Sequence, residues 1–226
     1  MDAIARARAL LERSGFAGLV LTRPGSVAWA IHGINPPIDR TAGVDTVWVA
    51  IGRTTVTVIT TAVEERRIIE ELLPSGVGLV AVPWWDGDAM VSAAVDAIGV
   101  PIDQIAGDGH PSFTGQLEHQ LIQIRLSLDP DERLRLRELG AKATVAVESA
   151  LRAWTPGETD TSIAARLAAA VESFGADAPV LLVGADERLH RYRHPVAVGA
   201  PTHHVVMAVL VARLRGLHVA LTRYVS

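Results

Sequence analysis

The 226-residue chain has no cysteine, which excludes disulfide staples, thiolate metal ligands and cysteine nucleophiles. Lysine is nearly missing too: Lys142 stands alone, and the other basic side chains are arginines. With a formal net charge of -4, the sequence carries no basic cluster of the kind that engages nucleic acid or an anionic membrane. Aromatic residues make up only 4%, so the core must be built from Ala, Val, Leu and Ile. No apolar run is long enough to cross a bilayer. Arg6, Arg8, Glu12 and Arg13 interrupt the N-terminal stretch MDAIARARALLERSG, where a signal peptide would be apolar. A cytoplasmic protein with no nucleic-acid or membrane partner is expected. One local absence matters for function: no Asp or Glu follows Glu187.

What is present is enough apolar material, 49% of the residues, to bury a sizeable core, in a pattern that predicts an α/β protein. Ile4, Ala7, Leu10 and Leu11 recur at helical spacing. AGLVLT (17–22) reads as a buried strand, and the runs 45–52 and 54–60 as a hairpin around Gly52-Arg53. A helix is expected over 62–73, a strand over 77–85, and another helix over 88–99. The first ~125 residues thus alternate β and α as a mixed-sheet domain. Asp129-Pro130-Asp131 then opens a long helix, since Pro suits the first helical position. A tight turn, TPGETD, leads into a second helix over 161–175, capped by Asp160 or Thr161. A strand over 178–184, a charged loop over 185–202 and two strands joined near Arg213–Gly216 complete the pattern. Two domains are expected, 1–125 and 126–226.

The order of these segments carries a resemblance. LDPDERLRLRELG, PGETDTSIAARL, a strand ending in Gly184, a His-bearing loop and a hairpin ending in Gly-x-x-x-x-Leu-Thr-Arg follow one another. Together with the N-terminal stretch ARALLERSGFAGLVLTRPGSVAWAIHG, this resembles the creatinase/prolidase/aminopeptidase P family, the pita-bread (M24-type) metallopeptidases. The resemblance implies a creatinase-type N-terminal domain followed by the first half of a pita-bread α/β domain. It implies hydrolysis of Xaa-Pro peptides or a small C–N substrate. It also implies two divalent ions, manganese, cobalt or zinc, held by carboxylates and one imidazole.

Carried over position by position, the family's metal ligands are missing. The first Asp falls on Val209 or Leu210 and the second on Ala220, two residues before Thr222-Arg223. The remaining His and Glu ligands would come from a second half that lies beyond Ser226. The chain is therefore expected to lack the dinuclear site, whether it is a fragment or a natural truncation. An open sheet edge would follow, and with it a homodimer or another partner. A non-catalytic pita-bread fold is known in a histone-chaperone subunit, so the alternative is a metal-free pseudo-enzyme that binds a peptide or small molecule.

Candidate binding groups are His190, Arg191, Arg193 and His194 in DERLHRYRHP. The arginines suit a carboxylate or phosphate, although charge runs of this kind are more often a solvated loop. His203-His204 is expected to open a strand with its rings on opposite faces. His218 is expected to share a face with Ala220. Asp39, Arg40 and Asp45 are binding candidates or members of an ion-paired loop. Of Trp84-Trp85, one is expected in the core and one exposed. Trp29 and His32 are expected to pack in the core. No G-x-S-x-G nucleophile elbow occurs.

Overall fold

The apolar strands of the N-terminal half pair into one mixed sheet. In the computed structural model, which describes residues 2–34 and 38–226, the chain forms two units, Met1–Asp129 and Pro130–Ser226. Residues 35–37, from the expected Pro/Gly-rich loop, lie outside the described residues.

The first unit contains strands β1 (Gly18–Leu21), β2 (Val47–Ile51), β3 (Val56–Thr61), β4 (Gly78–Val82), β5 (Ile105–Gly107) and β6 (Gly115–Gln116). They form a six-stranded sheet in the order β4-β3-β2-β1-β5-β6. The hairpin expected across Gly52-Arg53 is the antiparallel β2–β3 pair, and β3–β4, β1–β5 and β5–β6 are parallel. Helices α1 (Ala3–Ser14), α2 (Pro24–Ala30), α4 (Ala89–Ile98) and α5 (Glu118–Arg125) surround it. Strand alternation sorts the core into two layers. Leu19, Leu21, Val47, Val49 and Ile51 pack with Leu10, Leu11, Val27 and Leu121. Val20, Trp48, Ala50 and Ile59 pack with Ala93 and Ala94 on the other face. Covered on both faces, β1 and β2 must be apolar at every position, so their sequences read as continuous runs.

The helix expected over 62–73 takes another form. A short α3 (Glu65–Arg67) passes into a π-helical turn at Ile68–Leu72. Leu73 N–H donates to the Ile68 carbonyl at 2.7 Å, an i→i+5 bond that closes the wide turn ahead of Pro74.

The second unit is a helix-on-sheet layer. Its long α6 (Pro130–Arg152) and α7 (Asp160–Glu172) cover one face of an antiparallel sheet. That sheet comprises β7 (Asp177–Ala185), β8 (Val206–Leu214) and β9 (Leu217–Val225) in the order β7-β8-β9. The expected charged loop 185–202 contains a short helix, α8 (Glu187–Arg191). The cap of α7 is Thr159, whose hydroxyl accepts from Ser162 N–H at 3.3 Å. Asp160 and Thr161, the expected caps, stand one and two positions too late, and Asp160 is used elsewhere. Among the described residues, no helix is long and apolar enough to cross a membrane.

Candidate functional site

The β8–β9 hairpin decides what its two faces can do. Val206, Ala208, Leu210 and Ala212 are buried in the helix-side core, where Leu217, Val219, Leu221 and Val225 pack against them. The alternate residues face the other way. The register pairs Val209 with Thr222, Val211 with Ala220, and Arg213 with His218. Val209, Val211, Ala220, Thr222 and His218 therefore share the helix-free face, while Leu210 points into the core. Of the two residues read as the first ligand position, only Val209 shares the face of Ala220. Thr222 and Arg223 separate: Thr222 lies on the helix-free face, and Arg223 reaches Glu148 of α6 at 3.7 Å.

A dinuclear site needs carboxylate and imidazole donors converging within bonding distance of two cations. Val209 and Ala220, at the implied ligand positions, offer no side-chain donor atom, so they do not fit the ions that the fold implies. Among the described residues no group of three or more His, Asp or Glu is placed to hold a metal ion.

The polar run after β7 is organised by two carboxylates that the sequence did not single out as site residues. Asp186 has φ 52°, a conformation few non-glycine residues adopt. Its carboxylate holds this geometry by accepting the backbone N–H groups of His203, His204 and Val205 at 2.8, 2.8 and 2.9 Å. Burial pushes its carboxyl up, but the N–H donors of Val205, His204 and His203 outweigh this and hold it below the ordinary carboxylate value. His203 and His204 lie in the loop before Val206, not on the strand. Their rings are 6.3 Å apart and both are exposed. The expectation of opposite strand faces fails because Asp186 fixes their backbone before the ladder begins.

Asp160, 1% exposed, is the second organiser. It accepts from Val198, Gly199 and Ala200 N–H at 3.1, 2.7 and 3.0 Å, and from Arg188 Nη1 at 2.7 Å. Arg188 also donates to the Val196 carbonyl at 2.7 Å and lies over the Tyr192 ring at 5.7 Å. PGETD is thus more than a turn. Thr202 Oγ donates to the Glu158 carbonyl at 2.7 Å and accepts from Trp154 Nε1 at 2.7 Å. Thr159 and Pro201 form an isolated bridge.

These contacts leave His190, Arg191, Arg193 and His194 exposed around α8. Arg191 approaches Glu187 at 3.8 Å across one helical turn. The four share one surface segment, and Arg188 is the arginine that binds inward. Nothing in local spacing marks it, because its partner Asp160 is 28 residues away.

The candidates of the first unit separate as well. Asp39 forms a local turn, accepting from Thr41 N–H and Oγ at 2.8 and 2.6 Å, and the Thr41 hydroxyl and N–H hold its carboxyl below the usual range. Asp45 is buried, and burial pushes its carboxyl up despite the Val47 N–H at 3.2 Å. Trp29 is buried as expected, with Arg6 over its ring at 5.3 Å. His32 is exposed with φ 57°, because it turns the chain out of α2. Both Trp84 and Trp85 are exposed, at 65% and 72%. They follow the end of β4 in a turn, so strand alternation places neither in the core.

No protein-family model and no curated protein matches the sequence. Solved structures do match. The X-Pro aminopeptidase of Thermotoga maritima aligns with a TM-score of 0.70 at 15% identity, over 100% of this chain and 65% of that one. The prolidase of Pyrococcus furiosus aligns with a TM-score of 0.74 at 13% identity, over 98% and 70%. The N-terminal domain of the FACT complex subunit SPT16 from chickpea aligns with a TM-score of 0.57 at 9% identity, over 98% and 65%. The chain therefore spans about 65% of the aminopeptidase's length. By structure it matches the Xaa-Pro aminopeptidase and prolidase, pita-bread family, and at these identities what it shares with them is the fold.

Proposed function

We propose that this chain is a metal-independent relative of the Xaa-Pro aminopeptidases and prolidases. In this reading it binds a peptide or small anionic molecule and does not hydrolyse it through two metal ions. One observation carries the reading: Val209 and Ala220, where the family resemblance calls for carboxylates, share the helix-free face of the β8–β9 hairpin with the equally apolar Val211. Apolar side chains there remove the charge that would hold cations and replace it with a surface suited to apolar ligand groups. The exposed His190, Arg191, Arg193 and His194 supply the recognition of a carboxylate or phosphate, with each guanidinium able to donate two parallel hydrogen bonds. The finer architecture goes with this proposal: a creatinase-type N-terminal domain and the first half of a pita-bread domain.

Metal analysis of the purified chain after manganese loading, with an Ala-Pro hydrolysis assay, tests the reading. The expected result is no stoichiometric metal and no turnover. Two bound ions with turnover would establish the competing reading, a working metallopeptidase. Binding is tested separately by calorimetric titration with Ala-Pro and with inorganic phosphate. An Arg191→Ala, Arg193→Ala variant is expected to weaken the anion by about tenfold, the loss of a charged hydrogen-bonding partner.

A further inference from the structure

The β4 edge of the first unit combines four features. β4 ends the six-stranded sheet and, among the described residues, pairs only with β3. Ala62 N–H donates to the Val82 carbonyl at 2.8 Å, so Val82, and by alternation Val80, turn their backbone groups towards β3. Leu79 and Ala81 then present their N–H and C=O groups to the open side. Gly78–Val82 contains no lysine, proline or bulge, the devices that usually blunt an exposed edge.

Beside this edge runs a groove of about 550 Å³ between β4 and α4, lined by Val80, Val82, Ala89 and Ala93, with Asp86 and Asp96 among its polar groups. Trp84 and Trp85, which lie in sequence between the groove-lining Val82 and Asp86, are exposed and packed edge to face with ring centroids 5.9 Å apart. Exposed aromatics favour contact with another chain. The segment from Gly78 to Ile98 carries Asp86, Asp88 and Asp96 and no basic residue. This acidity selects the occupant. A second copy would bring the same carboxylates against each other, whereas a basic segment would neutralise them and stack a cation on the indoles.

We propose that the β4 edge binds an extended segment of a partner protein by strand addition. The segment is extended, and the side chains it turns towards α4, at every second position, include both small apolar residues and Lys or Arg. Its backbone pairs with Leu79 and Ala81, its apolar side chains enter the β4–α4 groove, and its cations meet Asp86, Asp96 and the Trp84-Trp85 pair. This mode draws affinity from main-chain bonds and specificity from alternate side chains. The proposal concerns the first unit alone and does not depend on the function proposed above.

The test pans a random decapeptide phage library against the full chain and measures the selected peptides by calorimetry. Enrichment of small apolar and basic residues at i, i+2 spacing is expected. Asp96→Lys and Trp84→Ala, both at exposed positions, should keep the wild-type melting temperature and weaken binding by about tenfold each. Ala81→Pro, which removes an outward N–H where an edge strand tolerates proline, should do the same. If Ala81→Pro fails to fold, the two exposed substitutions carry the test. No enriched peptide, or peptides indifferent to Asp96→Lys and Trp84→Ala, would overturn the proposal. So would self-association of the chain that Asp96→Lys strengthens, since the occupant would then be a second copy.

Discussion

At the scale of single residues, Asp160 and Asp186 hold the loop between β7 and β8. Asp160 gathers three backbone N–H groups and the Arg188 guanidinium around a side chain hidden from water. Removing it would strand those donors, and breaking a buried ionic contact from one side is costly. Asp160→Ala is expected to lower unfolding free energy by about 3 kcal/mol, read by urea denaturation. A loss below about 0.5 kcal/mol, the range of an ordinary surface substitution, would show that the loop is held by other contacts. Asp186 has a different signature. Its folded carboxyl titrates below the value of about 4 it has in the unfolded chain. Its contribution is therefore full above that value and disappears as pH falls through the lower, folded one. Asp186→Asn should accordingly flatten the loss of stability as pH falls below about 4, measured by thermal melts across pH. An unchanged acid slope would mean that other carboxylates govern it.

At the scale of elements, the return from β7 depends on a close approach. A Cβ on Gly184 would lie 2.5 Å from Pro195 Cβ and Cγ, and a proline ring cannot swing aside. The glycine that ends this strand in the family-like sequence pattern is thus explained by packing against the loop it precedes. Gly184→Ala should cost about 1–3 kcal/mol, as overpacking does, and should change the chemical shifts of residues 189–197. A neutral effect would show that the loop can move off the strand. The hairpin β8–β9 gives the matching lesson for function. Its pairing register, and not the number of residues before Gly216, places Val209 and Ala220 on one face and Leu210 on the other.

At the scale of the whole molecule, two units each own a core. Apolar layers cover both faces of the first sheet, while α6 and α7 supply the core of the second unit. Residues 1–129, expressed alone, are expected to unfold in one cooperative transition and to keep a native-like far-UV spectrum, as a unit with its own core does. A fragment that binds ANS and melts without cooperativity would show that this unit depends on the rest of the chain.

The sequence by itself determined much of this protein. Period-2 and helical apolar patterns, Pro and Gly punctuation and the order of motifs placed most strands and helices and pointed to the pita-bread resemblance. The absence of any carboxylate after Glu187 barred the hairpin from supplying the family's aspartates in any register. These features are local, so they are written in neighbouring residues. Tertiary structure decided the rest. It chose Val209 over Leu210, turned Asp160 from a helix cap into a loop anchor, drew Arg188 inward, exposed both Trp84 and Trp85, and left the β4 edge open beside an acidic groove. Each outcome depends on which distant backbone group lies within about 3 Å of a side chain, or on which strand ends a sheet. Spacing along the chain does not encode those distances.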